Sequence, residues 1–171
     1  MPTPHGPRPA LAASTLLLCA LTLTTAGCDS GRHTGPAKPS PTVPGKLIDT
    51  TDEDGHRLRQ VREDDAPEVD LVVRPASADG WDLRLTVHRF RFSPAGDDGG
   101  PARHGRGQAR LYLDGRSLAR LHGPGYHLPS RLVSRGTHQV TARLYADDST
   151  VWAVRGKPVE TTADLTAAPE R

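Results

Sequence analysis

Short runs in which apolar and polar residues alternate, each closed by glycine or proline, constrain this sequence of 171 residues more than any other feature. Residues 82–87 (DLRLTV) alternate strictly, and residues 137–145 (THQVTARLY) continue the pattern over a longer run. A period of two residues indicates strands that bury one face. Asp-Gly pairs at residues 54–55 and 114–115 are typical of hairpin turns, whose central residues take positive φ. After the first 28 residues no window carries a convincing helical period, so the sequence predicts strands throughout.

These runs predict an all-β fold, an antiparallel immunoglobulin-like sandwich of about 7–8 short strands. The Cys–Trp–Cys pattern of antibody domains is missing, so only the architecture is expected to be shared. We divide the folded part into an N-terminal hairpin or extension (residues 46–65), the β-sandwich domain (66–166) and a disordered tail (167–171). The residues predicted to share a face are Leu83, Leu85 and Val87, then Val140, Ala142 and Leu144, then Val159, Thr161, Ala163 and Leu165.

Irregularities in the pattern predict where the strands bend and meet solvent. The apolar phase slips by one residue between Val87 and Phe90, which predicts a β-bulge near residues 88–89. The Gly-rich residues 94–107 (PAGDDGGPARHGRG) are predicted to form a mobile loop. Arginines on the predicted strands are expected to form a solvated outer face, and they are Arg84, Arg89, Arg91, Arg110, Arg120 and Arg143.

The first 28 residues predict export and lipid attachment. Residues 11–23 (LAASTLLLCALTL) carry no charge, but they are fewer than the roughly 20 residues that span a bilayer, so they suit a signal peptide. The small residues that follow lead to Cys28 and resemble a bacterial lipobox, in which the cysteine is acylated. We expect residues 1–27 to be a lipoprotein signal peptide, and acyl chains on Cys28 to hold the protein at the outer face of the cell membrane. The alternatives are an ordinary cleaved signal and an uncleaved anchor.

The segment after Cys28 predicts a tether, because residues 28–45 are rich in Pro and Gly and have no apolar cluster. Cys19 and Cys28 are the two cysteines of the chain. A mature domain would therefore lack a disulfide, a cysteine nucleophile and a cysteine metal site. The net charge of +2 provides no single-sign field, so nucleic acid is not an expected partner.

Two segments resemble a largely uncharacterised family of small exported bacterial β-sandwich proteins and lipoproteins. Residues 107–115 (GQARLYLDG) are similar to its G-H-A-H-L-Y-x-D-G segment, and residues 123–128 (GPGYHL) to its G-P-W-[YF]-H-L segment. The resemblance covers roughly residues 66–165. It implies a domain type more than an activity.

The departures from this family concern its histidines. Gln108 and Arg110 stand where the family has two histidines, and Ser149 stands at a third. Imidazoles at i and i+2 on a strand share a face and could bind copper or zinc with a third ligand. Because glutamine is a poor ligand and arginine is none, a metal site would need other histidines to converge on His127. The candidates are His88, His104, His122 and His138.

Signals for chemistry are weak elsewhere in the sequence. Asp52, Asp54 and Gly55 have the spacing of a calcium loop but lack its downstream Glu, so a plain turn is predicted. No serine-hydrolase, zinc-protease or phosphate-loop motif occurs. Asp148 and His127 would form an acid/base pair only if the fold joined them. The chain is therefore predicted not to be an enzyme.

The leading prediction is a non-catalytic binding or accessory module, without a cofactor, that is held at the membrane by lipid on Cys28. Its expected partner is a small ligand or another envelope protein. The alternatives are an exported copper- or zinc-binding protein and an envelope hydrolase. The candidate ligand contacts are aromatic and polar residues on strands and turns, namely Tyr112, His122, Tyr126, His127 and Asp148.

Overall fold

The computed structural model describes residues 43–168 of the chain. The predicted signal peptide (1–27), Cys28, most of the predicted linker and the end of the predicted tail lie outside these described residues. Within residues 43–168 no helix has the length and apolar character needed to cross a membrane.

The described residues form strands joined by turns, which confirms the all-β prediction. The strands are β1 (Lys46–Thr51), β2 (Arg57–Gln60), β3 (Glu68–Pro75), β4 (Trp81–His88), β5 (Arg91–Phe92), β6 (Arg106–Leu113), β7 (Arg116–Leu121), β8 (Gly125–Leu128), β9 (Gly136–Ala146), β10 (Val151–Val154), β11 (Lys157–Pro158) and β12 (Glu160–Ala167). Short 3₁₀ turns lie at Glu63–Asp65 and Ser130–Leu132.

The strands form a large and a small sheet. The large sheet has the order β1-β2-β10-β9-β6-β5, with β11 beside β10, β12 beside β9 and β7 beside β6. The small sheet has the order β3-β4-β8 and is antiparallel. Two pairs of the large sheet, β2 with β10 and β5 with β6, are parallel. Because β2 pairs with β10, the hairpin over residues 46–65 is part of the large sheet.

The main core joins the two sheets. Leu83 and Leu85 of β4 belong to the same buried cluster as Leu111 of β6 and Leu144 of β9. Strand alternation places Leu83 and Leu85 on one face of the small sheet, as the sequence predicts, and each of the four leucines is at most 3% exposed. Burying a leucine side chain contributes about 1.5–3 kcal/mol, so this cluster is a main source of stability. Trp152 is fully buried in the same cluster.

The predicted bulge at residues 88–89 is wrong. β4 ends at His88, Arg89 takes a positive φ of 49°, and Phe92 then belongs to β5 in the large sheet. The slip in apolar phase therefore marks the point where the chain crosses from one sheet to the other. A bulge and a crossing look alike in sequence because both shift the buried face by one residue.

The Asp-Gly turn between β6 and β7 has the predicted conformation. Asp114 and Gly115 both have positive φ, 50° and 78°. Two positive φ values in a two-residue loop match the right-handed twist of the flanking strands. This turn positions the side chain of Asp114 beside the start of β9, where its Oδ1 accepts the backbone N–H of Gln139 at 2.9 Å.

Gly107 is the glycine whose replacement we expect to be most damaging. It has a φ of 150°, and a Cβ at this position would lie 1.8 Å from the carbonyl oxygen of Tyr145. Gly107→Ala should lower the free energy of unfolding by roughly 3 kcal/mol, because β6 and β9 would have to separate. Urea unfolding measures the loss. The control is Gly123→Ala, where no atom lies within 4 Å of the added Cβ; equal stability of the two variants would contradict the prediction.

Candidate functional site

The face of the large sheet that is turned away from the main core, here called the outer face, is also buried at its centre. Arg110 and Tyr112 of β6 are 9% and 4% exposed, and Arg143 and Tyr145 of β9 are 5% and 0% exposed. Strand pairing sets Arg110 opposite Arg143. The expectation that Arg110 and Arg143 are solvated is therefore wrong. The reason is that the turn between β1 and β2, residues 52–56, covers them.

This β1–β2 turn supplies acceptors for the buried tyrosine hydroxyls. The Tyr145 hydroxyl donates to Asp52 Oδ2 at 2.5 Å, and the Tyr112 hydroxyl donates to Asp54 Oδ2 at 2.7 Å. Burial, together with the neighbouring carboxylate of Asp52, raises the pKa of Tyr145 far above its ordinary range. Burial also raises the pKa of Tyr112. Neither phenol is a nucleophile near neutral pH, because nucleophilic tyrosine requires a lowered pKa.

Arg143 is held by carboxylates on two sides. Its Nη1 donates to Glu53 Oε2 at 2.6 Å and lies 3.3 Å from Asp52 Oδ2, while its Nε donates to Glu160 Oε2 at 2.6 Å. Burial alone would lower the pKa of Arg143, but the hydrogen bonds to Glu53 and Glu160 outweigh burial and raise it. Burial alone would likewise raise the pKa of Asp52, but its hydrogen bonds with Tyr145 and His56 lower it. Asp52 and Arg143 therefore both stay charged near neutral pH.

His56 joins the turn to β6. Its Nδ1 lies 3.3 Å from Asp52 Oδ1, and its Nε2 lies 3.0 Å from Arg110 Nη1. Because a guanidinium only donates hydrogen bonds, Nε2 must accept, and the imidazole is neutral with its proton on Nδ1. The ring stands edge-on to Tyr145, with centroids 5.3 Å apart, and the Arg110 guanidinium lies over the Tyr145 ring at 4.3 Å.

Asp52, Asp54 and His56 are the group within residues 43–168 whose atoms are close enough to share a metal ion. Several of the lone pairs of Asp52 and His56 are already used. Asp52 Oδ1 accepts the backbone N–H groups of Asp54 and His56 at 3.1 and 2.7 Å, and the Nε2 of His56 faces Arg110. The positive charges of Arg110 and Arg143 also oppose a cation. The arrangement therefore fits a hydrogen-bonded turn and does not fit a metal site.

Sequence reasoning did not single out His56. The alternating Asp-x-Asp-x-His spacing of residues 52–56 was available as a signal, since it places an imidazole next to two carboxylates. Its partner Arg110 lies 54 residues away, and only the fold brings the two together.

Two of the predicted ligand contacts, one in β6 and one in the turn that follows β9, are committed to intramolecular bonds. Tyr112 is buried under the β1–β2 turn. Asp148, in the turn after β9, accepts from Arg59 Nη2 at 2.5 Å and from the Thr150 hydroxyl at 2.7 Å.

The other three predicted contacts lie elsewhere. His122, after β7, has its Nδ1 3.0 Å from the carbonyl oxygen of Ser93. Tyr126 packs against the main core, whereas the neighbouring His127 is exposed and donates from Nδ1 to Asp82 at 3.0 Å. Within the described residues His127 joins no group of three possible metal ligands. The fold does not bring the five predicted contacts into one site.

A different surface has the character of a binding site. An open depression of about 540 Å³, here called the hairpin depression, lies between the β6–β7 hairpin and the segment that leads into β9. It is lined by Leu113, Asp114, Arg116, Ser117, Leu118, Leu132, Ser134 and His138. Small-molecule sites are typically concave and apolar, with a few convergent polar groups. The pKa of Asp114 is lowered and that of His138 raised, and such shifts are common at functional sites.

A second depression, about 630 Å³ beside Gly45, has a different lining. Its charges are largely paired with one another, since Arg155 contacts Glu63 and Arg62 contacts Asp64. Paired charges leave little for a ligand to satisfy, so we favour the hairpin depression.

Ser134, His138 and Asp114 follow one another in the order of a hydrolase triad. The Ser134 hydroxyl lies 3.2 Å from His138 Nε2, and His138 Nδ1 donates to Asp114 Oδ2 at 2.6 Å. However, Nε2 also lies 2.9 Å from the carbonyl oxygen of Ser134, which only a protonated Nε2 satisfies. The hydrogen bond to Asp114 raises the pKa of His138 and favours that protonated form. An imidazole that donates from both nitrogens cannot accept the serine proton. His138 instead forms a structural link between Asp114 and Ser134, here called the clip.

The clip predicts a pH-dependent contribution to stability. The raised pKa of His138 makes its contribution complete below about pH 6.5 and lost as the pH rises through the folded-state value. The lowered pKa of Asp114 makes its contribution complete above about pH 4 and lost in stronger acid. His138→Gln should therefore lower the melting temperature more at pH 5.5 than at pH 9. Asp114→Asn should show the same trend; a loss that is equal at both pH values would refute the clip.

Comparison with known proteins adds no family to this geometry. The chain matches no family model, no curated protein and no solved structure. The resemblance of residues 107–115 and 123–128 to the exported bacterial family therefore stays a prediction from those residues. The function proposed below depends on the chain's own lipobox-like segment and on its hairpin depression.

Proposed function

We propose that the chain is a lipid-anchored bacterial surface lipoprotein whose β-sandwich is a non-catalytic module that binds a small ligand in the hairpin depression. The lipobox-like residues before Cys28 support the anchor. The volume of about 540 Å³ supports the ligand, since pockets for small molecules measure roughly 300–1,000 Å³. The single observation that carries the proposal is the lining of this depression, which combines exposed apolar surface with an unpaired cation.

The apolar part of the lining comes from Leu113, Leu118 and Leu132. Leu132 is 46% exposed, and Leu113 and Leu118 are only partly buried, so the depression presents apolar surface to water. A ligand with an apolar body would remove this surface from water, and burial of that surface would favour binding.

The polar part of the lining favours an anion. Arg116 forms no ion pair with any residue of the described range, whereas Asp114 is occupied by His138. A guanidinium presents a fork of N–H donors that matches a carboxylate. The ligand class that fits is therefore a carboxylate on an apolar body.

A non-catalytic role is supported by the chemistry of the candidate groups. The phenols of Tyr112 and Tyr145 have raised pKa values, and His138 donates from both ring nitrogens. General acid/base catalysis needs a group whose pKa lies near the working pH and that can reach a substrate proton.

The anchor is tested by acylation in the living cell. With a clickable palmitate analogue in the growth medium, the wild-type chain should become labelled and sediment with membranes, because the thiol of Cys28 carries the lipid. Cys28→Ser should remove both the label and the membrane association. Cys19→Ser is the matched control and should leave both intact. An unlabelled wild-type chain would exclude the anchor.

The ligand class is tested with 4-phenylbutyrate, a carboxylate on an apolar body, and with its uncharged amide. Saturation-transfer NMR on the purified full chain should show the carboxylate binding. Arg116→Gln should weaken its binding about tenfold, since a hydrogen bond to a charged group contributes about 1.5–3 kcal/mol. Arg120→Gln, on the same strand but paired with Asp98, is the control and should bind as the wild type does. Equal binding of acid and amide would contradict an anion site.

A further inference from the structure

The hairpin depression borders a strand edge that has no partner. Within residues 43–168, β7 pairs with β6 alone. Leu113 and Leu118 line the depression and pack against the main core, so the depression lies on the inner side of the large sheet. Ser117 also lines it, although Ser117 is paired with Tyr112, whose side chain lies on the outer face. A depression that meets residues from both faces of β7 lies at the edge of the strand, here called the free edge.

The β6–β7 turn determines which backbone groups point to the free edge. The two-residue turn at 114–115 has positive φ at both positions and is flanked by the pair Leu113 and Arg116. In such a hairpin the flanking pair is hydrogen-bonded, and the next pair, Tyr112 with Ser117, is not. The N–H and C=O of Ser117 are therefore directed away from β6, where an added strand can bind them.

Arg116 determines the direction of a strand that would fit this edge. Arg116 is the first residue of β7, it is exposed, and it forms no ion pair in the described range. A strand added antiparallel to β7 would end beside this guanidinium and bring a C-terminal carboxylate to it. A parallel strand would begin there instead, and its terminal ammonium would be repelled by the arginine.

We propose that the ligand of the hairpin depression is the C-terminal end of an extended peptide, which adds to β7 as an antiparallel strand. Its backbone pairs with Ser117, its carboxylate binds Arg116, and its last apolar side chain lies among Leu113, Leu118 and Leu132. This inference rests on the proposed function, because it uses the same depression, and it narrows the ligand class from apolar carboxylates to peptide termini. In strand addition, main-chain hydrogen bonds supply affinity, and pockets for side chains supply specificity.

Calorimetric titration of the purified full chain compares the acetylated tetrapeptide TTVL, which has a free carboxylate, with 4-phenylbutyrate. The peptide should bind about tenfold more tightly, because its backbone also bonds to Ser117. The same peptide with a C-terminal amide should bind about tenfold more weakly than the acid. If the peptide binds no better than 4-phenylbutyrate, the peptide proposal is wrong and the proposed function stands. If neither compound binds, the proposed function itself fails.

Methylation of single peptide nitrogens tests whether the peptide adds as a strand. Alternate N–H groups of an added strand face its neighbour, so methylation of the last and of the next-to-last nitrogen should have different effects. One methyl group should weaken binding about tenfold, and the other should leave it unchanged. Equal effects of the two methyl groups would show that the backbone does not pair with β7.

A variant of the protein tests the same edge. Ser117→Pro removes the N–H that points to the free edge and keeps the pairing with β6, since proline is tolerated on an edge strand. This variant should bind 4-phenylbutyrate as the wild type does and should lose its preference for the peptide. Ser117→Ala keeps the N–H and is the matched control. A wild-type dimer in sedimentation, dissociated by Ser117→Pro, would assign the edge to a second copy of the chain and overturn the proposal. The methylated peptides decide the question if the proline variant does not fold.

Discussion

The pairing of β6 with β9 is the interaction on which the rest of the structure depends. Both strands lie inside the large sheet, and both bury side chains on its two faces. Leu111 and Leu144 complete the main core on the inner side. On the outer side Tyr145 and Arg143 need partners, because a buried polar group without hydrogen bonds is strongly destabilising. The β1–β2 turn supplies those partners, which makes the N-terminal hairpin a necessary part of the domain.

The polar side chains buried under the β1–β2 turn, here called the buried polar layer, are tied to one another by ion pairs and hydrogen bonds. Arg143 is divided among Asp52, Glu53 and Glu160, and Asp52 also accepts from Tyr145. Removing one member would leave another charged group buried without its partner, so such networks are conformationally specific even where their net contribution is small. Arg110 belongs to this layer and occupies the space beside His56 with a positive charge.

Particular residues show how far the sequence could predict the fold and the site. Local rules were sufficient for Leu83 and Leu85 and for the turn at residues 114–115, because alternation and positive φ depend on neighbouring residues alone. The crossing after His88 was misread as a bulge, since the two share one signature in the apolar phase. The burial of Arg110 was missed because it depends on a turn 54 residues earlier in the chain.

The sequence by itself determined that this chain forms strands, where its hairpins turn and which residues face the core, because these properties follow from periodicity and backbone preference over a few residues. Only the tertiary structure decided that the outer face is covered, that His56 meets Arg110, and that Arg116 and Leu132 line one depression. Such contacts join residues far apart in the chain. Their distances depend on how the strands are ordered in the sheets, which no local pattern encodes.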